Sequence, residues 1–307
     1  MPEEETIPSL KEGELIKERF SIEKKLGEGG FGAVYRVSDV ITNQKYAMKI
    51  ESSSDDCQVL KMEVVVLKEL KDRGGRHMCE IVSRGRTNKV NFVVMTLLGS
   101  SLADLKRNLP EKRFSLSTAV RVGIQTLEAV EDLHRIGYLH RDMKPGNFAK
   151  GREEINQHRI IFILDFGLAR RYLNMKGEIR TPRASAGFRG TVRYAPLNCH
   201  KSKELSRKDD LETWFYMQVE ITRGRLPWSD MNDKDEVGRE KEKTRKNCLL
   251  VAKTPKQYQT ILDYIDELKY WNQPDYDNIF AQLRQIMDEF GYKESDRFDW
   301  EKDKPRR

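Results

Sequence analysis

The sequence lacks several features that would assign it to particular classes of protein. Its 307 residues contain no apolar run near the ~18 residues that suggest a membrane span. Residues 1–10 are acidic and have no apolar core, which argues against a secretory signal. There is no internal repeat and no low-complexity segment. We therefore expect a globular protein that does not partner a membrane and behaves as a monomer.

Cysteine and histidine are both scarce and scattered. The chain has four cysteines and five histidines, and neither type shows metal-ligand spacing. Reduced, mostly buried thiols are typical of proteins from the cytosol or the nucleus. We expect a cytoplasmic protein, with the nucleus as a second location. The basic residues 302–307 give only a weak nuclear signal.

The formal net charge is +7. The simplest interpretation is solubility, whereas the more specific one is an acidic or phosphorylated partner. A nucleic-acid-binding protein is a rival interpretation, but the chain lacks interleaved basic and aromatic surface motifs. We therefore expect no nucleic-acid partner.

The hydrophobic pattern divides the chain into two unlike parts. The first part is predicted to be a small sheet with one helix, and the second to be mainly helical. Residues 1–17 are predicted to be a loose lead-in, 18–97 the sheet part, 98–300 the helical part and 301–307 a tail. Strands are predicted in 20–26, 33–37, 46–50, 81–82 and 92–95, and helices in 57–71, 117–135, 209–223 and, twice, in 257–290. Residues 234–247 are predicted to be an exposed helix or loop.

The most informative stretch is residues 140–167. It contains Asp142, Lys144 and Asn147, and an apolar strand over 160–164 then leads into Asp165. A phosphoryl-transfer site needs such groups, because one acid orients the attacking hydroxyl while the other acid and the amide hold magnesium. Each residue alone is more simply a loop or capping residue. Together they predict a catalytic site, with Asp142 as base and Lys144 on the transferred phosphate.

A glycine pattern, Gly27-x-Gly29-x-x-Gly32, precedes this site. The pattern also occurs in dinucleotide-binding folds, where a helix follows, and in plain turns. Here residues 33–37 alternate like a strand, which favours a hairpin. We therefore expect the loop to fold over phosphates, where glycine allows close backbone approach.

Lys49 lies in the middle of the next predicted strand. A lysine there is usually solvated, but in a nucleotide cleft it would bind the α- and β-phosphates. Its expected partner is Glu63 on the following helix, with Glu69 as the alternative. Thr191 is expected to bond near Asp142, and the catalytic-loop backbone is expected to donate to a buried Asp210.

These motifs resemble the eukaryotic protein kinases over residues 20–300, and within them the casein kinase 1 superfamily. The motifs that carry the resemblance are residues 26–32 (LGEGGFG), 140–148 (HRDMKPGNF), 190–195 (GTVRYA) and 209–212 (DDLE). The tau-tubulin kinase branch is more similar still, through residues 59–64 (VLKMEV), 187–195 (GFRGTVRYA), 274–276 (PDY) and 298–302 (FDWEK).

The resemblance implies an α+β, bilobal fold and a serine/threonine protein kinase that uses ATP and Mg2+ on protein substrates. It assigns catalysis to Asp142 and Lys144, metal binding to Asn147 and Asp165, and anion binding to Arg193. Arg189 is a second candidate for substrate or anion binding because it lies two residues before Thr191, which belongs to the same group. The resemblance assigns ATP binding to Leu26, Gly27, Glu28, Gly29, Gly30, Phe31, Gly32, Val34, Ala47, Lys49, Glu63, Met95, Thr96 and Leu98. A pseudokinase that acts as a binding module is the alternative.

Two further observations come from the chain's own sequence, and one expectation comes from the resemblance. Residues 165–195 carry seven arginines and lysines against two acids, so we expect acidic or phosphorylated substrates. The kinases' usual Ala-Pro-Glu anchor is absent, and Pro196 removes a backbone donor from that loop. The resemblance to the casein kinase 1 group implies an activation loop that is ordered without phosphorylation. We therefore expect this protein to have basal activity without an upstream kinase.

Overall fold

The computed structural model describes residues 9–29, 32–53 and 59–301. Its first part is a six-stranded antiparallel sheet in the order β1-β2-β3-β4-β6-β5. The strands are β1 (Leu15–Ile16), β2 (Phe20–Gly29), β3 (Gly32–Asp39), β4 (Lys45–Ser52), β5 (Ile81–Arg86) and β6 (Val90–Thr96). Buried and partly exposed residues alternate along most of β3, which is the pattern of a strand with one covered face.

One helix, α1 (Val59–Asp72), packs on this sheet. Its apolar residues recur every three or four positions, so Leu60, Val64 and Leu67 face inward and join the core of the helical part. A second apolar cluster fills the other face of the sheet around Tyr35, Met48 and Val94. The helix therefore links the sheet to the rest of the molecule.

The larger part is mainly helical. Its helices are α2 (Leu102–Asn108), α3 (Leu116–Arg135), α4 (Leu197–His200), α5 (Arg207–Arg223), α6 (Lys234–Lys246), α7 (Lys256–Glu267) and α8 (Tyr276–Phe290). Helix α5 is buried on almost every side, with Trp214 and Phe215 fully enclosed. It begins with a capping box, in which Ser206 and Asp209 satisfy each other's backbone N–H groups. This central helix is the frame on which the site is built.

Two short two-stranded sheets flank the polar residues of the predicted site. One pairs β7 (Tyr138–Leu139) with β10 (Arg170–Arg171), and the other pairs β8 (Phe148–Lys150) with β9 (Ile161–Ile163). The β8–β9 pair lies where the helical part meets the sheet part, because Ile163 donates its N–H to the His77 carbonyl just ahead of β5. The β7–β10 pair lies beside α1, where the Tyr138 hydroxyl donates to Glu69.

The structure confirms the predicted α+β, bilobal fold and refines some predicted elements. Residues 234–247, predicted as helix or loop, form helix α6, and the strand predicted at 81–82 continues to Arg86. Residues 9–17, assigned to the lead-in, are held more firmly than expected: β1 pairs with β2, and Leu10 and Ile16 are buried. Glu301, assigned to the tail, is bound by Arg159. Among the described residues, no helix is both long and apolar enough to cross a membrane.

Candidate active site

The predicted catalytic residues meet in one hydrogen-bonded group. Thr191 donates both its backbone N–H and its hydroxyl to Asp142 Oδ1, at 2.8 and 2.7 Å. Lys144 Nζ lies 2.9 Å from Asp142 Oδ2 and 3.0 Å from Thr191 Oγ1. The carboxylate is largely buried, and its position is fixed from two sides. The structure thus places Asp142, Lys144 and Thr191 together, as the sequence predicted.

Gly190 explains how the chain comes so close to the catalytic loop. Its φ is +94°, and a Cβ there would lie 2.5 Å from the Arg141 carbonyl oxygen. Only glycine fits both the backbone angle and the space. This close approach is what brings the next residue, Thr191, onto Asp142.

Asn147 and Asp165, the predicted metal ligands, are held on neighbouring segments. The Asn147 amide donates to the Asp142 carbonyl at 2.8 Å, which leaves its own side-chain oxygen free to act as a ligand. The Asn147 carbonyl accepts from Leu164 N at 2.8 Å, directly before Asp165. Carboxylate and amide oxygens suit Mg2+, which commonly binds one or two such groups together with substrate phosphates. These residues fit magnesium, which would neutralise charge on the phosphates.

Lys49 joins the two parts of the molecule. Its Nζ lies 2.6 Å from Glu63 Oε2 on α1 and 2.8 Å from Asp165 Oδ1. Burial opposes the charge of Lys49, but the two carboxylates outweigh it and raise the pKa of Lys49. Burial likewise opposes ionisation of Asp165, yet Lys49 lowers the pKa of that carboxyl. Glu69, the alternative partner, instead accepts from the Tyr138 hydroxyl at 3.1 Å.

Asp210, near the start of α5, holds the backbone of the catalytic loop. Its carboxylate accepts from the backbone N–H groups of His140 and Arg141, at 2.7 and 2.9 Å, and contacts His134 at 2.9 Å. Burial acts to raise the pKa of Asp210, but the bond from His134 and the charges around it lower it overall. His140 is fully buried between Leu164 and Phe166, as expected for a structural residue.

The glycine motif forms the hairpin that the sequence predicted. Strand β2 runs through Leu26, Gly27, Glu28 and Gly29, and β3 begins at Gly32 and includes Val34. A Cβ at Gly32 would lie 2.0 Å from the Ile50 carbonyl oxygen, so this position admits only glycine. Gly30 and Phe31, also predicted to bind ATP, lie outside the described residues.

Four further residues predicted to bind ATP lie on two adjacent strands or directly after them. Ala47 pairs with Met95 across β4 and β6, and Met95 is buried. Thr96 ends β6 and Leu98 follows it, partly buried against the main core. Ala47 and Met95 therefore lie two positions along the paired strands from Lys49 and Val93.

The two predicted anion-binding arginines differ in their surroundings. Arg193 is half exposed, and its guanidinium lies 3.5 Å from Glu220 Oε1 and 3.1 Å from the Ser229 carbonyl oxygen. An anion at Arg193 would have to share it with a buried carboxylate. Arg189 is exposed, and its side chain has no hydrogen bond or ion pair to any residue that the structure describes.

Sequence reasoning missed two groups that hold the substrate-side loop. Lys241 is fully buried and donates to the carbonyls of Val192 and Ala195, at 2.8 and 2.6 Å. Burial lowers the pKa of Lys241 to about 7. The side chain can donate to both carbonyls in either protonation state, because an ammonium and an amine each carry at least two N–H groups. The sequence signal that could have indicated this role is the three-to-four spacing of Val237, Lys241 and Thr244. These residues share the buried face of α6, a helix whose other residues are almost all polar.

The second missed group replaces the absent Ala-Pro-Glu anchor. Glu212 Oε1 accepts from Leu197 N at 2.7 Å and from Arg245 at 2.8 Å, so a buried ion pair holds the segment that follows Pro196. Pro196 is accommodated because it precedes the first turn of α4, where its missing N–H costs nothing.

Comparison with known proteins agrees with this geometry. The protein kinase domain model matches residues 20–287, which is most of the chain. The chain belongs to the protein kinase family. This confirms the resemblance to protein kinases that the motifs predicted.

Named relatives extend the comparison. A probable serine/threonine-protein kinase of Dictyostelium discoideum is 40% identical over 94% of this chain and 58% of its own length. The kinase spe-6 of Caenorhabditis elegans is 36% identical over 92% of this chain and 76% of its own length. A putative casein kinase I of C. elegans is 37% identical over 73% of this chain and 66% of its own length. The domain and these names support an ATP-dependent serine/threonine kinase of casein kinase 1 type.

Proposed function

We propose that this protein is an active serine/threonine kinase that transfers the γ-phosphate of Mg-ATP to acidic or already phosphorylated protein substrates. The observation that carries the proposal is the convergence of Lys49, Asp142, Asn147 and Asp165, each with the partner that its role requires. Placement in the tau-tubulin kinase branch, a cytoplasmic location and a monomeric state remain predictions.

The residues of this chain act mainly by position and charge. Asp142, held by Thr191, orients the acceptor hydroxyl and receives its proton. Lys144, beside Asp142, faces the oxygens of the phosphoryl group that is transferred. Asn147 and Asp165 hold Mg2+, and Lys49 binds the α- and β-phosphates while Glu63 keeps it in place. When bound, the metal ion neutralises charge that develops on the phosphates.

The preference for acidic substrates rests on the segment that leads from Asp165 to Ala195. Arg189 is exposed and unpaired within the described part of the chain, two residues before Thr191. Arginine binds carboxylate and phosphate in a forked geometry. Because Glu220 already contacts Arg193, we assign the larger share of substrate binding to Arg189.

Paired peptides test this preference. An acidic and a neutral peptide around one serine are assayed with wild type, Arg189→Glu, Arg193→Glu and the control Lys68→Glu. Lys68 is exposed on α1, so this control makes the same charge change away from the site. We expect wild type to favour the acidic peptide, Arg189→Glu to lose most of that preference and Lys68→Glu to keep it.

The same assay has two informative failures. Equal kcat/KM for the two peptides in wild type would remove the substrate preference while leaving the kinase activity. Absence of transfer to any peptide, with intact Mg-ATP binding, would favour the pseudokinase alternative.

A further inference from the structure

Two arginines of the segment between Leu168 and Thr191 meet one buried carboxylate that lies outside that segment. The Arg183 guanidinium contacts both oxygens of Glu204, with Nη2 at 3.2 Å from Oε1. Arg170 Nε lies 3.6 Å from the same Oε1. The Glu204 side chain is only 6% exposed. Burial acts to raise the pKa of Glu204, but Arg183 and Arg170 outweigh it and lower the pKa, so this carboxylate is ionised at neutral pH.

This cluster reaches the catalytic loop through Arg141. Arg141 directly precedes Asp142, and its Nε donates to the Leu168 carbonyl at 2.7 Å. Burial lowers the pKa of Arg141 and Arg170 adds to that effect, whereas Asp210 and then Glu204 act in the opposite direction. Glu204 is thus the counter-charge that Arg170 and Arg183 contact, and it adds to that of Asp210 at Arg141, directly before the catalytic residue.

Such a cluster is unfavourable without an anion, because partly buried like charges repel each other. In many kinases the anion is a phosphate that is added to a serine or threonine of the corresponding segment. The new charge pairs with arginines, and the segment becomes ordered. We infer that Glu204 permanently supplies this negative charge, so that the segment carrying Thr191 is ordered without phosphorylation. The inference rests on the proposed kinase function and names the residue that makes the site independent of an activating kinase.

The position of the segment's hydroxyl groups agrees with this role. Thr181 and Ser185 are both exposed and flank Arg183, which would be their natural phosphate partner. Because Glu204 already occupies Arg183, a phosphate at either position would have to compete with this carboxylate for Arg183. Glu204 is therefore a positioning residue, which acts on catalysis through Arg141, Arg170 and Arg183.

Anion rescue of a Glu204 variant tests the inference. Wild type, Glu204→Ala and the control Glu178→Gln are made in bacteria, treated with phosphatase and assayed on one peptide. Glu178 is exposed on the same segment and bonds only to nearby Asn174 in the described structure. We expect wild type and Glu178→Gln to be active, and Glu204→Ala to lose at least about tenfold in kcat/KM, since charged hydrogen bonds of this kind are lost. Added sulfate should restore part of that activity, whereas sodium chloride at equal ionic strength should not.

A second variant covers the case in which Glu204→Ala does not fold. Arg183→Ala breaks the same contact from its half-exposed side. It should lose activity without sulfate rescue, because the anion's main partner is gone. Full activity of either variant would overturn the inference, and so would a loss in Glu204→Ala that sulfate leaves unchanged. A wild type that is active before phosphatase treatment and inactive after it would also overturn the inference, whereas a wild type that is inactive in both states would instead contradict the proposed function.

Discussion

At the scale of single residues, the geometry depends on groups that hold the catalytic carboxylate. Asp142 Oδ1 receives two bonds from Thr191, and Asp142 Oδ2 receives one from Lys144. Asp142 and Lys144 were predictable because their spacing forms part of a familiar motif. The bond from Thr191 was also predicted, but its basis, a glycine with a φ of +94° that contacts the Arg141 carbonyl, depends on tertiary approach and is not visible in the sequence.

Replacing Thr191 tests this support. Thr191→Val keeps the shape of the side chain but removes the hydroxyl that donates to Asp142, whereas Thr191→Ser keeps it. We expect kcat to fall about tenfold in the valine variant, which corresponds to the ~1.4 kcal/mol of one charged hydrogen bond. KM for ATP should stay unchanged, because Thr191 supports the acceptor side. Equal kcat in the two variants would contradict the role given to this hydroxyl.

At the scale of elements, the sequence predicted those with a clear period and missed the short ones. Alternation identified strands such as β3, and the three-to-four spacing identified α1 and α3. Helix α5 was recognised because its sequence is apolar on most sides. Strand β1 and helices α2 and α4 are two, seven and four residues long, too short for a period to stand out. Helix α6 was left open between helix and loop, because only four of its thirteen residues are buried.

Lys241 lies on the buried face of α6 and donates to the loop that contains Val192 and Ala195. Replacing Lys241 should therefore destabilise this loop. Lys241→Met leaves the Val192 and Ala195 carbonyls without their donor, at ~1–3 kcal/mol for each unsatisfied group. We expect a melting temperature several degrees lower and a reduced kcat/KM. Lys243→Met is the matched control, because that side chain is 67% exposed and pairs only locally. Equal melting temperatures in the two variants would argue against this anchor.

At the scale of the whole molecule, two cores are joined by a charged link. One core fills a face of the sheet, and the other extends from α1 through the helical part. Lys49 on β4 joins Glu63 on α1 to Asp165 in the helical part, so ATP would bind where both parts meet. The sequence allowed this pairing to be predicted, but not how Glu301, the last residue that the structure describes, is held. Glu301 accepts from both Arg159 and the Phe298 N–H.

Low pH should break the contact between Glu301 and Arg159, because it protonates the Glu301 carboxylate. The bond from Arg159, aided by that from Phe298, lowers the pKa of Glu301 to about 2 from 4.5. A lowered carboxyl pKa gives stability that is present above about pH 4.5 and is lost as the pH falls towards 2. The melting temperature of wild type should therefore exceed that of Glu301→Gln above pH 4.5, and the difference should shrink towards pH 2. Glu294→Gln, an exposed change nearby, is the control, and a difference independent of pH would contradict the account.

The central claim is that these residues carry out phosphoryl transfer. The most direct measurement combines transfer of labelled γ-phosphate to serine and threonine peptides with Mg-ATP binding, in wild type, Asp142→Asn and Asp165→Ala. We expect transfer by wild type, slower transfer with nearly unchanged nucleotide binding in Asp142→Asn, and neither transfer nor normal Mg-ATP binding in Asp165→Ala. If wild type transfers phosphate to no peptide and Asp165→Ala binds Mg-ATP as tightly as wild type, the claim is wrong.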